Sequence, residues 1–208
     1  GIQRLKEIIE NMLDISLIDN SLLKLNYQPA RLSQLIEQAQ AKVKPSADLR
    51  HIKLTVENLE DASLFTYLDP VRIFQVLVHL LLNGIKFTPD KGQVILRARA
   101  LPGFIEVTIA DTGIGVATEN QEHIFTKFSS LGDVALHSTS KTRFKGGGLG
   151  LGLPISRGIV ESHGGTLWVE SPGHDEEKFP GSIFHLLLPI RNSPPENSVV
   201  KITSNNEE

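Results

Sequence analysis

Five of the chain's 17 glycines stand within seven residues, in Gly146-Gly147-Gly148-Leu149-Gly150-Leu151-Gly152. A glycine inside a regular element costs about 0.5–1 kcal/mol relative to alanine. Five together are expensive for a helix start. The backbone there must bend sharply or lie close to something. The pattern that follows is helical, about Leu149–His163, and Gly164-Gly165 ends it. Backbone N–H groups at a glycine-rich helix start form a site for an anion. A plain hinge or a close packing surface is the competing reading, and the expense of so many glycines at a helix start weighs against it. The run is not G-x-G-x-x-G, and no Lys-Ser/Thr pair follows it. Dinucleotide-fingerprint and P-loop chemistry are therefore disfavoured. The preceding stretch, Ser129–Lys145, has little apolar periodicity and is long for a structureless connection, which points to function.

The chain's 208 residues allow one sizeable core with an appendage, or two small domains. Lys plus Arg number 21 and Asp plus Glu 24, a formal charge of −3, so no nucleic-acid partner is expected. Cysteine is absent, which excludes disulfides and thiolate zinc sites. The seven histidines form no ligand cluster in the sequence. No apolar run approaches the ~20 residues of a bilayer span and no signal peptide is visible. A membrane is not indicated in this chain, and a cytoplasmic location is expected, with a membrane anchor on the full-length protein as the alternative.

Ile2, Leu5, Ile8, Ile9, Met12 and Ile15 keep helical spacing and predict one long helix from Ile2 to Leu23, with an apolar face wide enough for a bundle. Asn26-Tyr27-Gln28-Pro29 breaks it. A second helix is expected from Leu32 to about Lys44, with Ser33 as a possible N-cap and Pro45 as the stop. Ile52–Glu57 and Leu64–Leu68 read as strands. Asp69-Pro70 is a strong helix start, and Ile73, Phe74, Leu77, Leu80, Leu81 and Ile85 make the buried face behind it. Val94–Ala100 and Ile105–Ala110 form a hairpin around Leu101-Pro102-Gly103-Phe104. A short helix is expected near Thr118–Phe125, strands at Thr166–Glu170 and Ser182–Leu188, and a loose polar tail from Asn192.

Three further constellations bear chemistry. Asn83 and Lys86 lie three apart and share a helix face. An amide oxygen suits Mg²⁺ that keeps most of its waters, and an ammonium suits phosphate. Alone, the pair reads more readily as a solvent-facing stripe. Asp111-Thr112-Gly113-Ile114-Gly115 follows an apolar strand. Its carboxylate can accept from an exocyclic amino group, and its glycines let the backbone approach a flat ring; an ordinary strand-ending turn is an equal reading. Phe125 and Phe128 bracket Thr126-Lys127 and read as two core aromatics fixing the end of the long loop.

In this order the pieces resemble the ATP-binding catalytic domain of sensor histidine kinases, within the wider family of gyrase, heat-shock chaperone and mismatch-repair ATPases. His79–Pro89 (HLLLNGIKFTP) matches the N box and Asp111–Gly115 (DTGIG) the first glycine box. Ile124–Phe128 (IFTKF) looks like the phenylalanine box, and Gly146–Leu153 (GGGLGLGL) like the second glycine box. Met12-Leu13-Asp14-Ile15-Ser16, with Leu23-Lys24-Leu25 and Pro29, resembles the end of the second helix of the dimerisation domain. The resemblance covers about residues 2–190.

It implies an α+β fold: a two-layer Bergerat-type α/β sandwich, a mixed sheet with three helices on one face, preceded by a long N-terminal helix. It implies three parts: residues 1–28 from the dimerisation and phosphoacceptor domain, 29–191 as the catalytic ATP-binding domain, and 192–208 as a flexible tail. The cofactors implied are ATP and Mg²⁺. Asp111 would bind the adenine amino group, and Asn83 would hold the Mg²⁺ that bridges the phosphates. His79 (often Asn in the family) and Lys86 would lie near the phosphates, with Asn83 and Lys86 carrying the catalysis. Gly113, Ile114, Gly115, Gly146, Gly148, Leu149 and Gly150 would line the nucleotide and hinge a lid. Lys127, Phe128 and Ser182 would complete the contacts, with Lys141, Arg143 and Lys145 as further phosphate contacts.

The chain departs from the family at three places. Gly84 stands where Ala is usual. Ile183 replaces the usual Thr before Phe184, which removes a side-chain contact around the adenine or leaves that contact to water. The first dimerisation helix, with the phosphoacceptor His, is not in these residues, and none of the seven histidines has its context. Autophosphorylation of the chain alone is therefore not expected. The partners implied are a response-regulator receiver domain and a second copy in the full-length protein. A non-catalytic nucleotide-binding module of the same fold, or a related protein-serine kinase, are the alternatives.

Overall fold

The computed structural model describes residues 2–59, 65–129, 144 and 150–196. In chain order they form α1 (Ile2–Asp19), β1 (Gln28–Arg31), α2 (Leu32–Leu49), β2 (Lys53–Glu57), β3 (Phe65–Leu68), α3 (Pro70–Phe87), β4 (Gln93–Leu101), β5 (Phe104–Asp111), α4 (Gly152–Ser162), β6 (Thr166–Glu170) and β7 (Ser182–Pro189). The main sheet has the order β2-β4-β5-β7-β6, and β1 pairs with β3 in a separate two-stranded ribbon. Only β2 and β4 run parallel; the other pairs are antiparallel. A parallel pair needs a crossover, and α3 lies within that connection. The expected mixed sheet with helices on one face is what forms.

Alternation along the strands sorts the two faces. Val94, Leu96, Ala98, Ile105, Val107, Ile109, Phe184 and Leu186 point inward and pack with Leu77, Leu80, Leu81, Ile155 and Ile159 of the helices. The outer face is polar. Arg97 pairs with Glu57 at 2.8 Å, and Trp168 stacks on His185 at 4.7 Å. By length and composition α3 resembles a membrane span, but its apolar side is the centre of this core.

Asp69 caps α3 as expected. Its Oδ1 accepts from the backbone N–H groups of Val71 and Arg72 at 3.1 Å, and Oδ2 accepts from Asn26 N–H at 2.8 Å. The buried His163 ring joins this knot. Its Nε2 accepts from Asp69 N–H at 3.0 Å, and Nδ1 donates to the Ile159 carbonyl at 2.8 Å. Burial pushes the imidazole below its usual pKa and keeps it neutral, against a smaller pull from the Ile159 carbonyl.

Four expectations are corrected. The first helix ends at Asp19 rather than Leu23. Ser21 takes a positive φ of 54°, while Ser21 N–H reaches Ile18 O and Leu22 N–H reaches Leu17 O. This is a helix stop made without glycine. The second helix runs through Pro45 to Leu49. Pro45 and Ala41 face solvent, so water can serve the carbonyl that proline leaves unpaired, while Val43 and Ala47 hold the helix to the core. Ser33 is not the cap, because β1 runs directly into the helix and places Arg31 there. The expected helix at Thr118–Phe125 is two 3₁₀ turns, Thr118–Asn120 and His123–Phe125, each too short to nucleate an α-helix.

Gly84 lies inside α3. A Cβ there would sit 3.5 Å from Val94 Cγ1 and 3.8 Å from Asp111 Cβ, which is ordinary contact. Gly84→Ala is expected to stabilise the fold by about 0.5–1 kcal/mol. A thermal melt checks this, and a lower Tm would show that the site end of α3 has no room for a methyl group.

Candidate functional site

The site forms where the C-terminal half of α3 passes the end of β5. Register places Val94, Asp111 and Ser182 side by side across three strands. Asp111 is 8% exposed. One carboxylate oxygen accepts from Gly113 N–H at 2.8 Å, and the other accepts from the Ser182 hydroxyl. Burial pushes this carboxyl above its usual pKa, opposed by the Ser182 and Gly113 hydrogen bonds. With the Ser182 backbone N–H as a third donor, the carboxylate retains one lone pair for a further donor. The hydroxyl beside Asp111 thus comes from Ser182. Ile183 belongs to the opposite sheet face, 39% exposed, so the Thr-to-Ile departure removes nothing next to Asp111.

The loop after Asp111 is fastened to both neighbours. Ile114 N–H donates to Phe87 O at 3.1 Å, at the end of α3. Gly181 N–H donates to Gly113 O at 2.9 Å, and Asp175 N–H to Ile114 O at 2.8 Å. Gly113 is required by close approach: a Cβ would meet Phe87 O at 2.4 Å and Asp111 Oδ1 at 2.7 Å. Gly115 has a φ of +71°, and a Cβ would lie 2.0 Å from Gly173 O.

On α3, His79, Asn83 and Lys86 follow at helical spacing and are half-buried. Burial pushes the Lys86 ammonium below its usual pKa. Its Nζ lies 4.7 Å from the Phe87 ring centroid. His79 lies against the first turns of α4. Its Nδ1 is 3.4 Å from Ser156 Oγ, and a Cβ on Gly152 would be 3.7 Å from its ring. Leu151 precedes α4 without a side-chain cap bond, and Gly150 has a φ of +67°. The first-turn N–H groups of α4 therefore lack a side-chain acceptor from the capping residue and are suited to an anion.

Lys127 lies elsewhere. Its ammonium pairs with Asp19 at the end of α1. Phe125 is buried, with Arg157 stacked 3.8 Å from its ring centroid, but Phe128 is 42% exposed with a φ of 58°, so only one of the two aromatics is a core anchor. Gly146, Gly148, Leu149, Lys141, Arg143 and Lys145 lie outside the described residues.

One supporting residue left no signal in the sequence. Arg50, 6% exposed, donates to Ile85 O at 2.5 Å and Thr88 O at 2.6 Å, and pairs with Asp90 at 2.8 Å. It satisfies the last carbonyls of α3 from the far end of α2. Nothing in the local pattern around Asp48-Leu49-Arg50 distinguishes it from a surface arginine.

The residues fit a nucleotide and its metal. Asp111 is a buried acceptor backed by three donors, Asn83 offers a neutral oxygen, Lys86 a cation, and α4 an uncapped start. This combination defines an ATP-binding domain built on a mixed sheet. Residues 68–192 match the model of the Histidine kinase-, DNA gyrase B-, and HSP90-like ATPase family, and the chain belongs to that family. It is similar to Hybrid signal transduction histidine kinase C of Dictyostelium discoideum, 31% identical over 195 residues, which are 91% of this chain and 15% of that protein. Full-length ShkA in complex with AMPPNP shares the fold, with a TM-score of 0.73 at 24% identity over 92% of this chain and 37% of that one. So does histidine kinase ThkA in complex with response regulator protein TrrA, with a TM-score of 0.63 at 22% identity over 89% of this chain and 49% of that one. The chain spans 15% to 29% of the length of the curated relatives compared.

Proposed function

We infer that this chain is the ATP-binding catalytic portion of a sensor histidine kinase. It moves the γ-phosphate of ATP to a histidine outside these 208 residues, for relay to an aspartate on a response-regulator receiver domain. The observation that carries this reading is the buried Asp111, backed by Gly113 N–H and the Ser182 hydroxyl, in a loop tied to the end of α3 by the 3.1 Å bond from Ile114 N–H to Phe87 O. Asp111 would take the adenine amino group. Asn83 would hold Mg²⁺, which supplies charge neutralisation between the phosphates when bound. Lys86 and the N–H groups of α4 would hold the phosphates, so that catalysis is positioning and charge stabilisation. Such a protein would work in the cytoplasm, as a homodimer when full-length.

The test supplies what the chain lacks. The chain is incubated with γ-labelled ATP, Mg²⁺ and a separate helical fragment bearing a candidate phosphoacceptor histidine. Acid-labile, base-stable label is expected on the fragment and none on the chain. Acid-stable label on serine would favour the protein-serine kinase, and ATP binding without any transfer would favour a non-catalytic module.

A further inference from the structure

The loop that carries Asp111 is held from behind by one serine. Ser171 follows the last residue of β6 and opens the connection to β7, which Gly181 closes. Its hydroxyl oxygen accepts from Val116 N–H at 3.0 Å, in the loop after Asp111. Its single hydroxyl hydrogen lies within reach of two carbonyls of the connection itself, Gly181 O at 2.7 Å and Gly173 O at 2.9 Å. The Ser171 carbonyl accepts from Gln121 Nε2 at 2.9 Å, between the two 3₁₀ turns. One side chain thus joins both ends of the β6–β7 connection to the Asp111 loop. The two segments are closely apposed there: a Cβ on Gly115 would lie 2.0 Å from Gly173 O and 2.9 Å from Ser171 Oγ.

The consequence reaches Asp111 through Gly181. Gly181 N–H donates to Gly113 O at 2.9 Å, and a Cβ on Gly181 would lie 2.3 Å from Asp111 O. The next residue, Ser182, gives Asp111 both its hydroxyl and its backbone N–H. The donors on the two sides of the carboxylate, Gly113 and Ser182, therefore belong to segments that meet at the Ser171 hydroxyl. A hydrogen bond weakens steeply once its donor and acceptor are misaligned. We propose that Ser171 is a positioning residue for nucleobase selection. Its hydroxyl fixes the direction in which Asp111 presents its remaining lone pair, and so sets the preference for a base that carries an amino group. It acts through Asp111 rather than on the nucleotide, and this rests on the reading of the site as nucleotide-binding.

Calorimetry on the full 208-residue chain compares ATP with inosine triphosphate, which has a carbonyl oxygen where adenine has its amino group. The unsubstituted chain should prefer ATP by about tenfold or more, because the inosine oxygen meets a carboxylate that has no hydrogen to share. Ser171→Ala should weaken ATP about three- to tenfold, the loss of one or two hydrogen bonds, and leave inosine triphosphate unchanged. General damage to the fold would weaken both nucleotides together. In an Asp111→Asn background Ser171→Ala should no longer move the ratio. Gln121→Ala frees only the Ser171 carbonyl and should lower the ratio in the same direction by less. A wild-type ratio in both Ser171→Ala and Gln121→Ala, or an equal loss for the two nucleotides, sinks the proposal and leaves the nucleotide reading standing. If the unsubstituted chain shows no preference for ATP, the adenine role of Asp111 and the proposal fall together.

Discussion

Asp111→Asn is expected to weaken nucleotide binding about a hundredfold or more while leaving the fold at least as stable. The carboxylate offers only acceptors. One oxygen takes Gly113 N–H, the other takes the Ser182 hydroxyl, and the Ser182 backbone N–H is a third donor, which leaves one lone pair. In the asparagine variant the amide oxygen can keep Gly113, which turns the NH₂ group toward Ser182. The serine hydroxyl can rotate and accept, but an adenine amino group cannot. It meets a donor where it needs an acceptor. A hydrogen bond to a charged group contributes about 1.5–3 kcal/mol, and a stranded donor adds to the loss. Stability should move the other way. The Asp111 pKa is raised by burial despite three hydrogen bonds, so the folded chain prefers the neutral side chain. A raised pKa gives stability that is full below the unfolded carboxylate range and is lost as pH rises through the folded value. Asparagine is neutral throughout. The variant's Tm should equal or exceed wild type at pH 7, and its advantage should shrink as pH falls through the folded pKa. Wild-type affinity in calorimetry would refute the adenine role. A lower Tm at pH 7 together with lost binding would mean that the variant had only damaged the fold.

What was legible in the sequence was whatever one short segment encodes by itself. Asp69-Pro70 announces a helix start because a carboxylate and a fixed φ act locally, and the structure places the cap there. The period-two alternation of Ile105, Val107 and Ile109 marks the inward face of β5 for the same reason. Gly113 was singled out as a residue that lets backbones approach, but the backbone it admits is Phe87, far away in sequence. That contact was not readable. The helix stops at Ser21 and His51 were missed because residues other than glycine hold the left-handed conformation there, at φ 54° in both cases. Neighbours enforce them: Ile52 N–H closes on Ala47 O at 2.9 Å as its side chain enters the core. Lys127 was assigned to phosphate from motif alone, and its Asp19 partner is 108 residues away. Pairings across such separations belong to tertiary structure, and a single sequence does not carry them.

Arg50 shows how much of the site rests on such a contact, and replacing it is the second large effect expected. Arg50→Met should cost roughly 3–5 kcal/mol, the loss of two charge-assisted hydrogen bonds to carbonyls that are then left unpaired. Against a total of about 5–15 kcal/mol for a domain, that is a large fraction. The loss follows from what the guanidinium touches. Two of its nitrogens serve the carbonyls of Ile85 and Thr88 at the end of α3, and methionine can replace the stem but neither bond. The Asp90 pair is the smaller part, because the Asp90 side chain is 67% exposed and screened by water. Asp90→Asn should therefore cost at most about 1 kcal/mol. Arg50→Lys should recover less than half of the loss, since an ammonium cannot present the planar fork. Urea unfolding measures all three, with an unchanged slope confirming that the same transition is compared. The functional consequence follows from geometry. The carbonyl of Phe87, one residue before Thr88, anchors Ile114 N–H and with it the Asp111 loop. Fraying of α3 at this end should weaken ATP binding in Arg50→Met even below its melting temperature, and speed exchange of the Ile114 amide. If Asp90→Asn proves as damaging as Arg50→Met, the ion pair rather than the helix cap supports the site.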